Sequence, residues 1–597
     1  MMDIDDRVDL VPGSERNLAD FGDKPSLPAA EPLGRLVAVS GSQATVQFTT
    51  EQSSPGEHNA DVTVGSLLGI KTGNSLAIGA LCEVSVNDSA SGQHGPQAIG
   101  RLDLLGEIAC DASGEKRFNH GIMVYPKLGS AVVPAGSDEL RIIFDLASPH
   151  TIEVGRLQQN GSIAAYVNID EIVQKHFAIV GSTGAGKSTA LALILRKIME
   201  ARSDLRILLV DAHNEYGNCF DDRAHVAGPG NLRLPFWLFN FDEIVQIIFG
   251  FRTRAEHEVS LLAELIPVAK TEYARSRTAL RSTSYRPSQS DGRRYTVDTP
   301  VPYRFEDVIA AAESRMGKLE NGDVAVQYQR LLMRINTVRK NPRYSFIFDD
   351  ASGGNDTMVD ILCQLLRLKD DRRPMAIVQL AGFPVETMEI IVSVLFRLAF
   401  EFGVWSDALS PLLIVCEEAH NYANADRTIG FRPAREGLSR IAKEGRKHGV
   451  FLGLVTQRPH QLDPTLISQC STVFAMRLGH EDDQKIVRAA VSDSASRLLA
   501  FLPSLGTREA LVIGAGVPTV MRLRFEELPD CCIPKSQAVC GGNFDSVRKI
   551  DEQLIATVVA RWRGTAMSSK PAPAPTAPDL KFRSSEAVRW SAPSFQD

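Results

Sequence analysis

The sequence has few cysteines, and none of them belongs to a short paired motif. Nine cysteines are spread over 597 residues, an odd number without any CxxC spacing. This distribution argues against a disulfide framework and is typical of reduced thiols in the cytosol. Cys531, Cys532 and Cys540 lie close together in the sequence, so a metal site at this point stays open as a minor alternative.

The sequence also lacks long apolar runs and an excess of basic charge. No stretch approaches the ~18 consecutive apolar residues that indicate a membrane span. The acidic N-terminus "MMDIDDRVDLVPGSERN" has no apolar core of the kind found in signal peptides. A formal net charge of −7 argues against a surface coated with basic residues, although it is compatible with a local basic pore or patch. We therefore expect a cytoplasmic protein that binds no membrane.

The length and the texture of the sequence predict several domains. At roughly 100–200 residues per domain, the chain should form three or four units. Residues 1–30 are polar and are predicted to form a disordered arm. Short strands with glycine turns, such as "GRLVAVSGSQATVQF", then predict a small antiparallel β-barrel over residues 31–155. At the other end, we predict a C-terminal brace helix region at 531–564 and a disordered, Pro/Ala/Ser-rich tail at 565–597.

Residues 156–530 show the alternation of apolar runs and amphipathic stretches that is typical of an α/β domain. Near-continuous apolar runs predict strands of a parallel sheet that is covered on both faces. These runs are "FAIV" (177–180), "RILLVD" (206–211), "MAIVQL" (375–380), "LLIVCE" (412–417), "VFLGLVTQ" (450–457) and "TVFAMRL" (472–478).

A segment at about 220–370 interrupts this pattern and is predicted to be a helical insertion. Between residues 270 and 345 it carries 15 Lys/Arg against 8 Asp/Glu. Two explanations stay open: a solvated helical face, or a surface that contacts nucleic acid and includes Arg293 and Arg294.

A phosphate-binding loop is the most specific motif of the chain. It comprises Gly181, Ser182, Thr183, Gly184, Ala185, Gly186, Lys187 and Ser188, followed by Thr189, and it satisfies the pattern G-x-x-x-x-G-K-[ST]. The glycines let the backbone wrap tightly, and the N–H groups of the loop and of the following helix point at the phosphates. Lys187 would reach the β- and γ-phosphates of ATP, and the Ser188 hydroxyl would bind Mg²⁺. A plain glycine-rich turn is the alternative.

Two carboxylates follow the predicted strand "LLIVC". The first, Glu417, would hold the Mg²⁺ shell, and the second, Glu418, would act as the general base that polarises the attacking water. The alternative is an acidic helix N-terminus, where the helix dipole favours glutamate. Gln457, at the end of the next predicted strand, is placed to sense the γ-phosphate or the lytic water; a polar strand end is the alternative.

A basic amphipathic helix, "GLSRIAKEGRKHGV", precedes that last strand and carries Arg440, Lys443, Arg446 and Lys447. In ring-shaped NTPases, an arginine of the neighbouring subunit stabilises charge on the phosphate that is transferred. Arg446 is our first candidate for this role. A cation favoured by the dipole at the helix C-terminus is the alternative.

Six segments together resemble the HerA branch of the HerA–FtsK ATPases, in order and spacing, from about residue 30 to 530. They are "HFAIVGSTGAGKST", "DAHNEY", "CEEAHNY", "EGRKHGVFLGLVTQRP", "LISQCSTVFAMRL" and "LPSLGTREALVIG". The resemblance implies a RecA-like P-loop ATPase core with a helical insertion, preceded by the small β-barrel of that branch. It supports the roles given above to Lys187, Ser188, Glu417, Glu418 and Gln457, and it supports an arginine finger in the "EGRK" helix. It departs from the family at Gln379, where relatives often have aspartate.

The resemblance also implies partners. Members form hexameric rings, hydrolyse ATP with Mg²⁺ and move double-stranded DNA through the channel. They work with a separate effector protein, either a nuclease for DNA-end processing or, in antiphage defence, a nuclease or a sirtuin-like NADase. Two other functions stay open: a ring scaffold that uses ATP to assemble and regulate an effector, and a small-molecule kinase.

Overall fold

The computed structural model describes residues 32–49, 63–87, 97–110, 114–250, 255–281, 295–317, 322–349, 356–369, 373–490 and 497–535. The predicted arm at 1–30, Arg293, Arg294, Cys540 and the predicted tail lie outside these ranges, as does most of the predicted brace region. The chain divides into two compact units. The barrel unit contains residues up to 172 together with 471–526, and the sheet unit contains 173–470 together with the residues from 527 onward.

A closed antiparallel barrel forms the N-terminal part of the barrel unit. Its strands are β1 (Gly34–Val39), β2 (Gln43–Phe48), β3 (Leu67–Thr72), β4 (Ser75–Asn87), β5 (Gln97–Cys110) and β7 (Ala131–Pro134), and β6 (Lys116–His120) extends the sheet beyond β5. The strand order is β2-β1-β7-β3-β4-β5, and pairing of β2 with β5 closes the ring. The prediction of a small antiparallel barrel is confirmed.

Alternating apolar residues fill the barrel, as the period of a β-strand requires. Leu36, Val46, Ile70 and Leu102 are almost completely buried in one cluster. Gly100 of β5 lies against the ring of Phe48, and a Cβ atom on this residue would be 2.6 Å from that ring. Only glycine fits at this point of the packed interior.

Five further strands, which pair antiparallel with one another, belong to the barrel unit. Its strands are β8 (Thr151–Leu157), β9 (Ala164–Asn168), β16 (Thr472–Ala475), β17 (Glu509–Gly514) and β18 (Met521–Phe525). The helices α1 (Ser137–Phe144) and α13 (Glu481–Ala489) belong to the same unit, and α2 (Ile169–Gln174) leads out of it. The buried strand predicted at "TVFAMRL" is confirmed as β16, which pairs antiparallel with β17.

A parallel sheet forms the centre of the sheet unit. Its strands are β10 (Phe177–Val180), β11 (Arg206–Asp211), β12 (Ala224–Ala227), β13 (Met375–Gln379), β14 (Leu412–Cys416) and β15 (Val450–Thr456), in the order β12-β13-β11-β14-β15-β10. Every pairing between them is parallel. The α/β prediction is therefore confirmed, with five of the predicted strands in this sheet. The edge strand β12 was not predicted, since it lies in the segment assigned to a helical insertion.

Helices account for the rest of the sheet unit. They are α3 (Lys187–Ala201), α4 (Phe241–Phe249), α5 (Glu256–Arg281), α6 (Phe305–Met316), α7 (Gly322–Arg339), α8 (Ser345–Phe348), α9 (Met358–Leu365), α10 (Val385–Trp405), α11 (Arg432–Glu444) and α12 (Pro464–Ser468). The predicted helical insertion corresponds to α4–α9. No helix within the described ranges is long and apolar enough to cross a membrane.

A buried ion pair joins the insertion to the helices of the sheet. Glu243 of α4 is completely buried and accepts hydrogen bonds from Arg397 at 2.9 Å and from Ser393 at 2.8 Å, both on α10. Breaking such a pair by removing one partner leaves a buried charge without compensation. This contact fixes the start of the insertion next to α10.

Candidate functional site

The phosphate-binding loop joins β10 to α3. Gly184 and Gly186 have φ angles of 74° and 102°, in the left-handed region that strongly favours glycine. Helix α3 begins directly after Gly186, so its free N–H groups and the positive end of its dipole face the loop. The local sequence therefore produces a strand, an anion-binding loop and a helix in immediate succession.

Lys187 is a buried cation that bends back over this loop. It is only 7% exposed, and its Nζ donates a hydrogen bond to the Ser182 carbonyl oxygen at 3.1 Å. Burial lowers the pKa of Lys187, and the nearby charges of Glu418 and Glu417 oppose that shift. The loop, its lysine and the two predicted acidic residues thus lie in one electrostatic environment.

Glu417 follows β14 directly and is almost completely buried. Its Oε2 accepts a hydrogen bond from the backbone N–H of Ala212 at 3.1 Å, and its Oε1 accepts one from the hydroxyl of Tyr216 at 3.1 Å. Burial raises the pKa of Glu417 well above its ordinary value, and the charges of Asp211 and Glu215 raise it further. A cation beside this carboxyl group would offset the cost of its ionisation.

Glu418 links the acidic strand to the neighbouring strand end. It is 4% exposed and has a φ angle of 48°, a left-handed conformation that is strained for a residue with a side chain. The side-chain amide of Gln457 donates to Glu418 Oε1, and the hydroxyl of Thr183 donates to the amide oxygen of Gln457. One chain of hydrogen bonds therefore connects the phosphate loop, Gln457 and Glu418.

Two histidines that the sequence did not assign to the site also lie beside Glu418. His420 Nδ1 is 3.3 Å from Glu418 Oε2 and 3.0 Å from the Thr456 hydroxyl. His213 Nε2 is 4.0 Å from Glu418 Oε1. These residues follow β11 and β14, and only the strand order could have shown that they meet.

Gln379 makes its contact with a buried aspartate of the next strand. Asp211 has no exposed surface and accepts hydrogen bonds from the backbone N–H groups of Glu215 and Tyr216, both at 3.1 Å. Burial raises the pKa of Asp211, whereas these bonds and a side-chain hydrogen bond from Gln379 act in the opposite direction. The amide at position 379 thus serves as a donor to this aspartate.

Arg446 lies apart from the other predicted site residues within one chain. It is exposed in the 3-10 turn Gly445–His448. Burial is the main cause that lowers the pKa of His176, and the nearby charge of Arg446 lowers that pKa further. His176 precedes the amino end of β10, whereas Glu418 and Gln457 follow the carboxyl ends of parallel strands. Arg446 is therefore near the opposite edge of the sheet.

The other cations of this helix differ in how far they are engaged. Arg440 pairs with Glu401 at 3.1 Å and stacks on the ring of Phe400, 4.1 Å from its centroid. Arg446 has no side-chain partner among the described residues. It is therefore free to act in a contact with another molecule, unlike Arg440.

Several basic residues of the insertion are used inside the chain. Arg315 pairs with Glu264 at 2.8 Å, and Arg339 pairs with Glu306. Lys270 is 2% exposed and donates to three backbone carbonyl groups. These contacts favour a structural role of these cations within the chain over a contact with nucleic acid. At the C-terminal end, the Sγ atoms of Cys531 and Cys532 are 3.4 Å apart. Cys540, the third cysteine of the metal site named as a minor alternative, lies outside the described residues.

Comparison with known proteins agrees with this geometry. Residues 152–399 match the family model described as "Helicase HerA, central domain". A probable helicase of Methanocaldococcus jannaschii is 26% identical over 481 residues, which cover 76% of this chain and 84% of the relative. The DNA double-strand break repair helicase HerA of Pyrococcus furiosus is 25% identical over 429 residues, which cover 67% of this chain and 74% of the relative. A solved structure of VirB4 from Thermoanaerobacter pseudethanolicus is similar with a TM-score of 0.41 and 14% identity, covering 64% of this chain and 98% of that one.

The segment that matches the family model contains the phosphate loop and the end of β11, whereas Glu417, Glu418 and Gln457 lie after it. The chain is therefore similar to HerA helicases, both in this central segment and over 67% of its length in the match to the relative from Pyrococcus furiosus.

Proposed function

We propose that this protein is an ATP-dependent motor that translocates along double-stranded DNA as a hexameric ring. The observation that carries the proposal is the hydrogen-bonded chain from Thr183 through Gln457 to Glu418, beside the buried Lys187. This chain connects the loop that would hold the phosphates to the residue that would activate water. The names of the relatives, which include DNA double-strand break repair helicases, support DNA as the substrate.

The residues present fit ATP with Mg²⁺. Lys187 and the N–H groups of residues 181–189 supply positive charge and donors for phosphate oxygens. The Ser188 hydroxyl and the Glu417 carboxylate supply oxygen ligands, which Mg²⁺ prefers. The buried carboxyl group of Glu417, whose pKa is raised, gains most from a neighbouring cation. Mg²⁺ would neutralise charge on the transferring phosphate when bound.

Glu418 would act as the general base. It lies next to Gln457, which can orient a water through its amide, and it is held in a strained backbone conformation that aims its side chain into the site. His420 lies beside its Oε2 and His213 beside its Oε1, so both oxygens have an imidazole nearby.

A ring is proposed because the site is incomplete in one chain. The phosphate loop and the acidic residues are together, whereas the candidate finger Arg446 is exposed near the opposite edge of the sheet. In a ring, Arg446 of one subunit would reach the phosphates of the next and make hydrolysis depend on assembly. We propose a separate effector, a nuclease or an NADase, because such partners are implied by the resemblance to HerA proteins.

The experiment that tests the proposal measures ATP hydrolysis by the full chain with and without linear duplex DNA. We expect duplex DNA to stimulate turnover and Lys187→Ala to abolish it. Single-particle imaging with ATP and duplex should show rings. Nucleotide-dependent assembly with DNA-independent, weak turnover would instead favour the scaffold function, and full-rate hydrolysis by a monodisperse monomer would refute the ring.

A further inference from the structure

Tyr216 is a buried phenol that the proposed reaction has not yet used. It has no exposed surface, and its hydroxyl donates a hydrogen bond to Glu417 Oε1 at 3.1 Å. Burial, followed by the charge of Glu417, raises the pKa of Tyr216 well above its ordinary value, and a hydrogen bond with the Ser188 side chain opposes this rise. One hydroxyl group thus interacts with both residues that were predicted to hold the metal.

The backbone around Tyr216 fixes this position. The N–H of Tyr216 donates to Asp211 Oδ2 at 3.1 Å, and the N–H of Cys219 donates to the Tyr216 carbonyl oxygen at 3.0 Å. The N–H of Lys535 holds the preceding carbonyl group, that of Glu215, at 3.2 Å. These hydrogen bonds hold the backbone of the turn after β11 in place, so the buried phenol has little freedom to move.

We propose that Tyr216 is a positioning residue that holds the Ser188 hydroxyl and the Glu417 carboxylate in the arrangement that accepts the Mg²⁺ of the bound nucleotide. This inference rests on the proposed ATPase function. A tyrosine hydroxyl has one proton to donate and an oxygen that accepts, so it can donate to Glu417 while it accepts from Ser188. Groups that orient metal ligands in this way typically change metal affinity by about 10–100-fold when they are removed.

No other donor replaces Tyr216 in the part of the chain that the structure describes. The second oxygen of Glu417 already accepts the N–H of Ala212, so Oε1 depends on the phenol. A carboxylate oxygen that loses its donor in a buried site is free to rotate or to repel the neighbouring carboxylates. The expected defect is therefore in metal binding rather than in phosphate binding, which uses Lys187 and the loop.

The chain contains a matched control. Tyr303 is 1% exposed and lies in the insertion, and its hydroxyl has no hydrogen-bond partner among the described residues. Tyr303→Phe therefore removes the same atom from a buried tyrosine without changing a contact of the site. Any effect shared by the two variants would reflect the loss of a hydroxyl group alone.

The test measures binding of a fluorescent ATP analogue to the full chain while Mg²⁺ is titrated, and again in EDTA. We expect Tyr216→Phe to raise the Mg²⁺ concentration at half-maximal effect by about tenfold or more, with affinity in EDTA unchanged within about twofold. Tyr303→Phe should match the wild type in both conditions. An unchanged Mg²⁺ midpoint in Tyr216→Phe would overturn the inference.

A double-mutant cycle adds a second measurement, which tests whether Tyr216 acts through Glu417. Glu417→Asp keeps the charge but withdraws the carboxylate from the phenol, so it should also raise the Mg²⁺ midpoint. Combined with Tyr216→Phe, it should add less than about twofold, because both changes remove the same contact. Fully multiplicative effects, or no shift with Glu417→Asp, would contradict the proposal. A wild-type chain that binds no nucleotide would instead refute the ATPase function itself.

Discussion

Replacement of Glu418 by glutamine tests the assignment of the general base most directly. The two side chains have the same shape, but an amide cannot take a proton from water. Glu418 is 4% exposed, and its Oε1 accepts from the Gln457 side chain. The amide oxygen of the variant can accept that same bond, so we expect the fold and the phosphate loop to stay intact.

The magnitude follows from what the carboxylate does. General-base catalysis contributes about 10²–10⁴-fold to a rate, or roughly 3–5 kcal/mol of activation free energy. The cost to stability should be small by comparison. Glu418 Oε2 accepts the backbone N–H of Gln457 at 3.4 Å, and loss of this long hydrogen bond should cost about 1 kcal/mol or less. Activity should therefore fall far more than stability.

The assay is single-turnover hydrolysis of labelled ATP by the full chain with duplex DNA, together with nucleotide binding. We expect Glu418→Gln to lower the hydrolysis rate by about 100-fold or more, with the affinity for ATP changed by less than about threefold. Glu436→Gln is the control, because Glu436 is exposed and pairs with the exposed Arg432. A decrease of less than about tenfold, with binding intact, would show that Glu418 is not the base.

Three further predictions concern cations and a histidine of the sheet unit. Arg446→Ala should abolish ATP hydrolysis by the assembled protein and leave nucleotide binding intact. Arg440→Ala should leave hydrolysis intact and lower the free energy of unfolding by about 1 kcal/mol in urea titrations. Equal activity of the two variants would refute the choice of Arg446. Lys270→Met should lower the free energy of unfolding by about 3 kcal/mol, because three carbonyl groups lose their donor. Burial lowers the pKa of His176 to about 4. As pH falls below about 6.5, this histidine therefore binds a proton in the unfolded chain before it does so in the folded chain. The free energy of unfolding should drop by up to about 3 kcal/mol between about pH 6.5 and pH 4. His176→Gln should lack this part of the pH dependence, and an unchanged slope in that variant would contradict the assignment.

The parts of the fold that local sequence determines were predictable. Four consecutive buried residues in β10, followed by glycines and a lysine, specify the strand, the loop and the start of α3 without help from distant segments. The apolar runs of β11, β13, β14 and β15 are equally local signals. The barrel was predictable because its strands are short, alternate in polarity and are separated by glycine turns.

The parts that depend on distant pairing were not predictable. The strand β12 has only four residues, includes His225, and is a strand because it pairs with β13. The run of β16 looks like any other buried strand, and only its pairing with β17 makes it antiparallel. Tyr216 and the two site histidines were overlooked for a related reason, since their proximity to Glu417 and Glu418 follows from the order of the strands.

The amide at position 379 has a physical role in the charges of the site. Asp211 is completely buried beside Gln379, and its charge helps to raise the pKa of Glu417. A carboxylate at 379 would bring another negative charge next to Asp211, where burial already disfavours ionisation. The amide avoids this repulsion and donates a hydrogen bond to Asp211 instead. Asp211, held in this way, accepts the backbone N–H groups of Glu215 and Tyr216 and so keeps Tyr216 in place against Glu417. The amide at position 379 therefore supports, through Asp211 and Tyr216, the Glu417 carboxyl group, whose ionisation a bound cation would favour.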